Sequence, residues 1–114
     1  MKAFLSLTLL FISSLTVYSQ DFYLASNGVT CMCPNAAVGD SGDPGNGIVY
    51  TKRTRNQITP QNAATTCTSG ITDMSELFRD LTGFSTFNED ISSWDVSDVT
   101  NMLYMFNGTA FNQP

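Results

Sequence analysis

The sequence predicts an α/β solenoid, in which similar coils stack on one another, preceded by a small N-terminal cap held by a disulfide. The stretch at residues 71–78 (ITDMSELF) returns at residues 99–106 (VTNMLYMF), with the apolar positions aligned. The FN pair at residues 87–88 returns at residues 111–112. Both separations fall in the range of about 20 to 50 residues that is typical of repeat arrays. Three cysteines precede the repeat, and they can crosslink a cap.

Residues 1–19 have the layout of a secretory signal peptide. Lys2 supplies a positive charge, an apolar stretch follows, and Val17 and Ser19 are small enough for cleavage before Gln20. A membrane anchor is the alternative, but the apolar stretch is shorter than the roughly 20 residues that a spanning helix needs. We therefore expect a secreted or cell-surface protein with no membrane insertion after cleavage.

The charge of the mature chain restricts its partners. Without Lys2 it has four basic and ten acidic side chains, hence a net charge of −6. Nucleic acids and anionic membranes require a basic surface, so we expect neither as a partner. The sequence contains no histidine, which is the usual general base and the commonest neutral metal ligand. We therefore expect no cofactor and no metal.

Cys31, Cys33 and Cys67 are the disulfide candidates. Pairing of Cys67 with either of the other two closes a loop of about 35 residues and adds on the order of 3–4 kcal/mol of stability. A Cys31–Cys33 bridge would form a very short, strained ring. The third thiol would stay free or pair with another molecule. A zinc site is the alternative, but three thiols without histidine supply too few ligands.

Residues 20–70 are predicted to form the cap, which a solenoid needs to cover its first coil. Asn27-Gly28 between two short apolar runs predicts a β-hairpin. Residues 34–47 have the composition of a loop, and residues 48–51 (IVYT) are a strand candidate.

Two further features of the cap precede the repeat. Residues 52–55 (KRTR) are a basic cluster, for which we expect a solvated face, with a specific anion site as the alternative. Thr59-Pro60 can cap and begin a helix over residues 60–67, which Ser69-Gly70 would end.

Each unit of the repeat, residues 71–114, is predicted to contain a short helix, a short strand, a turn and a second extended side. Four apolar residues between 74 and 81 have the i, i+3, i+4, i+7 spacing of one helix face. Residues 87–91 and 94–97 then alternate between inward and outward positions. The predicted core of the repeat comprises Met74, Leu77, Phe78, Phe87, Ile91, Trp94, Val96, Val99, Met102, Met105 and Phe106.

Residues 87–102 read FNEDISSWDVSDVTNM, and Met105-Phe106 follow. They fill every fixed position of F-N-x-D-I-S-x-W-D-V-S-x-V-T-x-M with its Met-Phe ending, and so resemble the repeat of the BspA-like leucine-rich-repeat surface proteins, the DUF285 family. Residues 62–67 (NAATTC) are similar to the cap found in secreted Bacteroidetes-type members. The resemblance implies a right-handed leucine-rich-repeat-like solenoid, a role in adhesion, and no catalytic residues. Members carry several copies and this sequence has one and a half, so we expect a fragment or the start of a longer array.

Several side chains have an alternative interpretation. Trp94 is suited to stacking on a ligand, but its place in the pattern favours the core. Asp90, Asp95 and Asp98 are candidate calcium ligands, but aspartates at turns normally bond their own backbone. The sequence Asn107-Gly108-Thr109 matches a glycosylation acceptor, and an ordinary turn is the simpler interpretation.

These observations together predict a non-enzymatic secreted or cell-surface repeat protein that mediates adhesion or protein–protein binding. Its partner would be an extracellular or cell-surface protein of unknown identity. The alternative is a truncated or purely structural repeat spacer with no binding function of its own. A small disulfide-held secreted enzyme is a third hypothesis, which the sequence disfavours because it contains no recognisable catalytic constellation.

Overall fold

The computed structural model describes residues 20–80 and 83–114, so the predicted signal peptide lies outside the described residues. The regular elements of the described part all lie in the predicted cap. They are strands β1 (Tyr23–Leu24), β2 (Cys31–Met32), β3 (Ser41–Gly42), β4 (Tyr50–Lys52) and β5 (Thr66–Cys67), and two 3₁₀ helices, Arg55–Gln57 and Ala63–Thr65. No helix among the described residues has the length and apolar character needed to span a bilayer.

Strands β1 and β2 form the predicted hairpin. They pair antiparallel, with Leu24 opposite Cys31. The side chain of Asn27 organises the connecting loop, because its Oδ1 accepts the N–H groups of Val29 at 2.9 Å and Thr30 at 3.0 Å. Gly28 follows with a φ of +72°, which glycine adopts without strain. The prediction of a hairpin at Asn27-Gly28 is confirmed.

Strand β4 is the centre of a three-stranded sheet with the order β3-β4-β5. It pairs antiparallel with β3 and parallel with β5, where Lys52 is opposite Cys67. The strand predicted at residues 48–51 begins later than expected, at Tyr50. The preceding loop continues because the Asn46 side chain accepts the Ile48 N–H at 3.0 Å, which keeps Ile48 in a turn.

The helix predicted over residues 60–67 is wrong. Only residues 63–65 are helical, as a single 3₁₀ turn, and β5 follows at once. Thr59 and Asn62 close a compact turn, since the Asn62 Oδ1 accepts the Thr59 N–H at 2.8 Å and the Thr59 Oγ1 accepts the Asn62 N–H at 3.2 Å. Thr66 and Cys67 then pair with β4. Their backbone N–H and C=O groups bond to the neighbouring strand and are therefore not available for helical hydrogen bonds.

The first repeat copy also lacks the predicted helix: its residues 75–78 form turns. The N–H groups of Met74, Glu76 and Phe78 donate to carbonyl oxygens of the second copy, at 2.9, 2.8 and 2.9 Å. They are therefore unavailable for i→i−4 bonds, and Glu76 has a left-handed φ of +57° that interrupts a right-handed helix. Leu81, the last residue of the predicted helix face, lies outside the described residues.

The two repeat copies lie side by side. Asp73 and Asn101 form a parallel β-bridge, and the Thr100 N–H donates to the Thr72 carbonyl at 2.8 Å. Glu76 and Tyr104, which occupy corresponding positions of the two copies, share the same unusual φ, +57° and +58°. The local backbone conformation of the first copy is thus reproduced in the second, in register with it.

Two apolar clusters hold the chain together. The smaller one surrounds the cysteines of the cap and includes Phe22 and Tyr50. The larger one joins the cap to the repeat, because Ile58 and Ala63 pack with side chains from both copies. Its buried members are Ile58, Ala63, Met74, Leu77, Phe78, Phe84, Phe87, Trp94 and Met105.

The predicted repeat core is placed in three ways. Buried members are Met74, Leu77, Phe78, Phe87, Trp94 and Met105, whereas Ile91 and Val99 are half-buried against them. Contrary to the prediction, Val96, Met102 and Phe106 are 45%, 47% and 39% exposed.

These three exceptions have physical reasons. Turns flank Val96, because the Trp94 N–H donates to the Ile91 carbonyl and the Val99 N–H donates to the Val96 carbonyl, both at 3.1 Å. The predicted alternation of inward and outward side chains, which requires an extended strand, is therefore lost. Met102 and Phe106 belong to the second copy. Phe106 stacks on Phe78 of the first copy with a centroid distance of 5.3 Å and on Phe111 at 4.5 Å, and these contacts leave part of its ring exposed.

Candidate binding surface

Trp94 connects the repeat to the cap. Its ring is buried, 5.3 Å from the ring of Phe78, and its Nε1 donates to the Ala63 carbonyl at 2.8 Å. Both the apolar face and the polar atom of the indole are therefore satisfied inside the protein. A ligand-stacking role would need an accessible ring face, so this geometry favours the structural role.

Asp95 forms the polar part of the same junction. Its carboxylate accepts the hydroxyls of Ser69 at 2.7 Å and Ser97 at 2.6 Å, and its backbone exchanges two 2.9 Å bonds with the Thr68 hydroxyl. Burial alone would raise the pKa of Asp95, but the bonds from Ser97 and Ser69 outweigh it and hold the pKa below its ordinary value. Asp95 is therefore a buried anion fixed by hydroxyl groups.

The disulfide of the cap joins Cys33 to Cys67, which settles the pairing that the sequence left open. Cys31 is a free, fully buried thiol. Burial, and then the negative charge of Asp95, raise the pKa of Cys31 to about 11. A protonated, enclosed thiol is a poor nucleophile, so Cys31 is suited to packing rather than to intermolecular pairing.

The candidate calcium ligands serve the local backbone. Asp90 Oδ1 accepts the Ser92 N–H at 2.9 Å, and Asp95 Oδ1 accepts the Ser97 N–H at 3.0 Å. Hydrogen bonds from Ser92 lower the pKa of Asp90. Within residues 20–80 and 83–114 no three carboxylate, thiol or imidazole groups converge on a common point where a metal could bind.

The glycosylation-like sequence at residues 107–109 forms a turn. The Thr109 hydroxyl donates to the Phe106 carbonyl at 3.0 Å, and Gly108 has a φ of +76°. The side chain of Asp80 lies so close that a Cβ on Gly108 would be 2.8 Å from its carboxyl carbon. Glycine is therefore required here by both the turn and the close neighbour.

The basic cluster contacts the protein instead of being simply solvated. The Lys52 ammonium donates to the carbonyls of Cys33 and Ala36 at 2.9 Å each, and Arg53 donates to the Thr66 hydroxyl at 2.8 Å. Together with Arg55 they line a groove of about 440 Å³ between the cap and the first repeat copy. The cluster thus has a defined geometry.

The second repeat copy exposes an apolar surface that the core prediction did not anticipate. Leu103 and Tyr104 are 60% and 55% exposed, beside the exposed Met102 and Phe106. The corresponding residues of the first copy are Ser75 and Glu76, so the side chains at these two positions change from polar to apolar. These residues could have been found in the sequence by aligning the two copies, because the alignment shows the change from Ser75-Glu76 to Leu103-Tyr104. We call residues 102–106 the apolar segment.

The sequence model of a family described as "Mycoplasma protein of unknown function, DUF285" matches residues 49–114, which is more than half of the chain. The chain belongs to the DUF285 family. The match begins at Val49, ahead of the repeat, so it includes β4, β5 and Cys67 of the predicted cap. No curated protein and no solved structure matches the chain.

Proposed function

We propose that this DUF285 chain is a BspA-like, non-enzymatic binding module that is secreted or held at the surface of a Bacteroidetes-type cell. Adhesion or protein–protein binding would occur through the apolar segment. The observation that carries the proposal is the exposure of Leu103 and Tyr104 at positions that are polar in the first copy. Grouped, exposed apolar side chains often mark interaction sites, and tyrosine is enriched at interfaces.

A right-handed leucine-rich-repeat-like solenoid is the architecture we propose for the repeat. It is supported by the regular series of hydrogen bonds between the copies and by the matching φ angles of Glu76 and Tyr104. Aromatic rings of the two copies also stack, Phe78 on Phe106 at 5.3 Å and Phe87 on Phe111 at 5.9 Å. Such contacts between neighbouring copies are the means by which repeat proteins gain stability.

The non-enzymatic part of the proposal is supported by the roles of the perturbed carboxylates. The pKa values of Asp73, Asp90 and Asp95 are lowered by hydrogen bonds from serines at position i+2 of the chain. This arrangement organises turns and keeps the carboxylates ionised. It does not provide the raised pKa that a general acid at neutral pH requires.

A double substitution tests the binding role. Leu103→Ser with Tyr104→Glu installs the residues of the first copy, and Glu76 already adopts the required φ in that copy. We expect the full secreted chain to bind at least one of immobilised fibronectin, fibrinogen and collagen. We expect the double variant to lose about tenfold or more in affinity, which corresponds to about 1.4 kcal/mol. Surface plasmon resonance measures both.

The matched control is Val49→Ser, which removes an exposed apolar side chain from the cap and should leave affinity unchanged. Equal binding by the double variant and the wild type would refute the role of the apolar segment. The absence of saturable binding to all three matrix proteins would refute a matrix-adhesion role.

A structural spacer is the second candidate, and the half-exposed Phe106 favours it. Phe106 covers Phe78, so a further coil stacked in the same way would cover Phe106. Reading the genomic sequence beyond codon 114 discriminates the two candidates. Further in-frame Trp-Asp-Val-Ser units would indicate that the apolar segment is a junction between coils, as the spacer hypothesis requires.

A further inference from the structure

The groove between the cap and the first repeat copy contains most of the positive charge of the described chain. Lys52, Arg53 and Arg55 line one side, and Ile71, Thr72 and Asp73 contribute to the other. We call this the basic groove. Its volume of about 440 Å³ is in the range of small-molecule sites.

The three cations are held by neutral groups. Lys52 donates to three backbone carbonyls, Arg53 to carbonyls and the Thr66 hydroxyl, and Arg55 to the Ser75 carbonyl and the Asn56 side chain. Neutral acceptors orient a cation without compensating its charge. The Asp73 carboxylate, which lines the same groove and interacts electrostatically with Arg55, offsets one of the three positive charges and leaves the lining with a net charge of +2. In the part of the chain that the structure describes, the recorded ion pair is Arg79–Glu76 at 2.8 Å, outside the groove.

Donor capacity also remains in the basic groove. The hydrogen bonds recorded for Arg53 all leave from Nη1, so its Nε and Nη2 are not engaged by the described residues. Arg55 Nε also lacks a hydrogen-bond partner in the described structure, but it is buried and therefore not open to a ligand in the groove. A planar guanidinium presents its donors as a fork that matches the oxygens of a carboxylate, sulfate or phosphate.

Taken together, the net positive charge of the lining, the unengaged donors of Arg53 and the volume of the groove favour a bound ligand. We propose that the basic groove binds an oxyanion, meaning a sulfate, phosphate or carboxylate group carried by a small molecule. The site is independent of the apolar segment, so it does not rest on the proposed function. Val38 and Ile71 in the lining give the groove an apolar wall for the uncharged part of such a ligand.

Asp73 provides a test with a predictable sign. Its carboxylate lines the groove and would repel an incoming anion, and its Oδ1 accepts the Ser75 N–H at 2.9 Å. Asp73→Asn retains an oxygen for that bond and removes the charge. Asp90→Asn is the matched control, because Asp90 bonds Ser92 in the same way and at the same 2.9 Å but does not line the groove.

Thr72 gives the opposite test. Its side chain is exposed at the groove and no described residue bonds its hydroxyl, while its backbone carbonyl holds the second copy. Thr72→Glu therefore adds a negative charge without removing a contact. Ser26→Glu adds the same charge in the exposed hairpin loop and serves as its control.

The experiment titrates the full secreted chain with sodium sulfate, sodium phosphate and sodium acetate, and follows backbone amide shifts by NMR. We expect saturable shifts at residues 53–55 and 70–73 with at least one anion. Asp73→Asn should tighten binding by about two- to fivefold and Thr72→Glu should weaken it by a similar factor, since each changes one charge near the site. The arm that binds most tightly identifies the ligand chemistry.

Two results would overturn the proposal. The first is the absence of saturable shifts in the groove with all three anions. The second is an equal effect of Asp73→Asn and Asp90→Asn, because that would mean that affinity follows net charge and not this site. Circular dichroism and melting temperature confirm that each variant is folded before its titration is interpreted.

Discussion

At the scale of single residues, the polar atoms of buried side chains decide how the cap and the repeat fit together. Trp94 buries a large ring, yet its position is fixed by one bond from Nε1 to the Ala63 carbonyl. Asp95 fixes the neighbouring backbone through Ser69 and Thr68. Apolar contact is non-directional, whereas these bonds are directional and help to specify the relative orientation of cap and repeat.

Trp94→Phe should destabilise the protein although it conserves an aromatic side chain. The substitution removes the indole bond to the Ala63 carbonyl, which keeps the Thr66 N–H as a donor, and it reduces the buried ring volume, so we expect the free energy of unfolding to fall by about 1–3 kcal/mol. Urea denaturation followed by circular dichroism measures the change. Tyr104→Phe is the control, because this exposed hydroxyl has no recorded bond and its loss should change stability by less than about 0.5 kcal/mol. Equal effects of the two substitutions would contradict the role of Trp94.

Asp95 should make folding sensitive to acid. Its folded-state pKa is lowered, so its stabilising contribution is present above the pKa of the unfolded chain and is lost as the pH falls through the folded value. Asp95→Asn should therefore reduce stability at pH 7 by about 1–3 kcal/mol and flatten the decline of stability below about pH 4. Urea midpoints between pH 2 and 7 test this. Asp98→Asn removes an exposed carboxylate as the control, and the same flattening there would contradict the assignment to Asp95.

At the scale of elements, the sequence predicted those features that depend on neighbouring residues. Asn27-Gly28 determines the hairpin locally, because the amide side chain and the left-handed glycine need no distant partner. Helices were predicted at 60–67 from residues that favour helix ends and at 74–81 from apolar spacing. Residues 66–67 pair instead with β4, and alternate N–H groups of residues 74–80 bond to the second copy. Periodicity shows which side chains are buried but not where the backbone donors find their acceptors.

For the candidate sites too, the sequence predicted what depends on neighbouring residues and not what depends on distant contacts. The resemblance of residues 87–102 to a repeat pattern identified the family, and the position of Trp94 in that pattern agreed with its burial. The basic groove was not predictable, because residues 52–55 and 69–73 are brought together only by the packing of the cap on the repeat. Cys31 and Cys33 are two residues apart and both fully buried, so the sequence pattern does not distinguish them, and the pairing of Cys33 with Cys67 is determined by the packing of the cap.

The disulfide should contribute more to stability than the free thiol of Cys31. Cys33 and Cys67 close a loop with a sequence separation of 34, so Cys33→Ala should cost on the order of 3–4 kcal/mol. Cys31→Ala removes one buried sulfur and keeps the crosslink, and should cost about 1 kcal/mol. Urea unfolding compares the two variants, and dithiothreitol should destabilise the Cys31→Ala variant but not the Cys33→Ala variant. The reverse order would contradict the pairing.

At the scale of the whole molecule, the cap, the first copy and the second copy form a series in which each part covers the next. Ile58 and Ala63 of the cap belong to the same apolar cluster as Phe78. The ring of Phe78 in turn stacks against the ring of Phe106 in the second copy. Burial decreases along this series, since Phe78 is fully buried and Phe106 is half exposed. A linear arrangement of this kind makes stability depend on nearest neighbours, and the ends contribute less than the middle.

Equivalent substitutions in the two copies should therefore have unequal costs. Phe78→Leu removes a ring that stacks with Phe87 at 4.4 Å and with Phe106 at 5.3 Å, and should lower the free energy of unfolding by about 1–3 kcal/mol. Phe106→Leu makes the same change at the corresponding position of the second copy, on a half-exposed ring, and should cost less than about 1 kcal/mol. Urea denaturation of both variants gives the difference. Equal costs would mean that the two rings have the same surroundings, and hence that the second copy does not cover the first. The proposed stacking of coils would then lose its main energetic consequence.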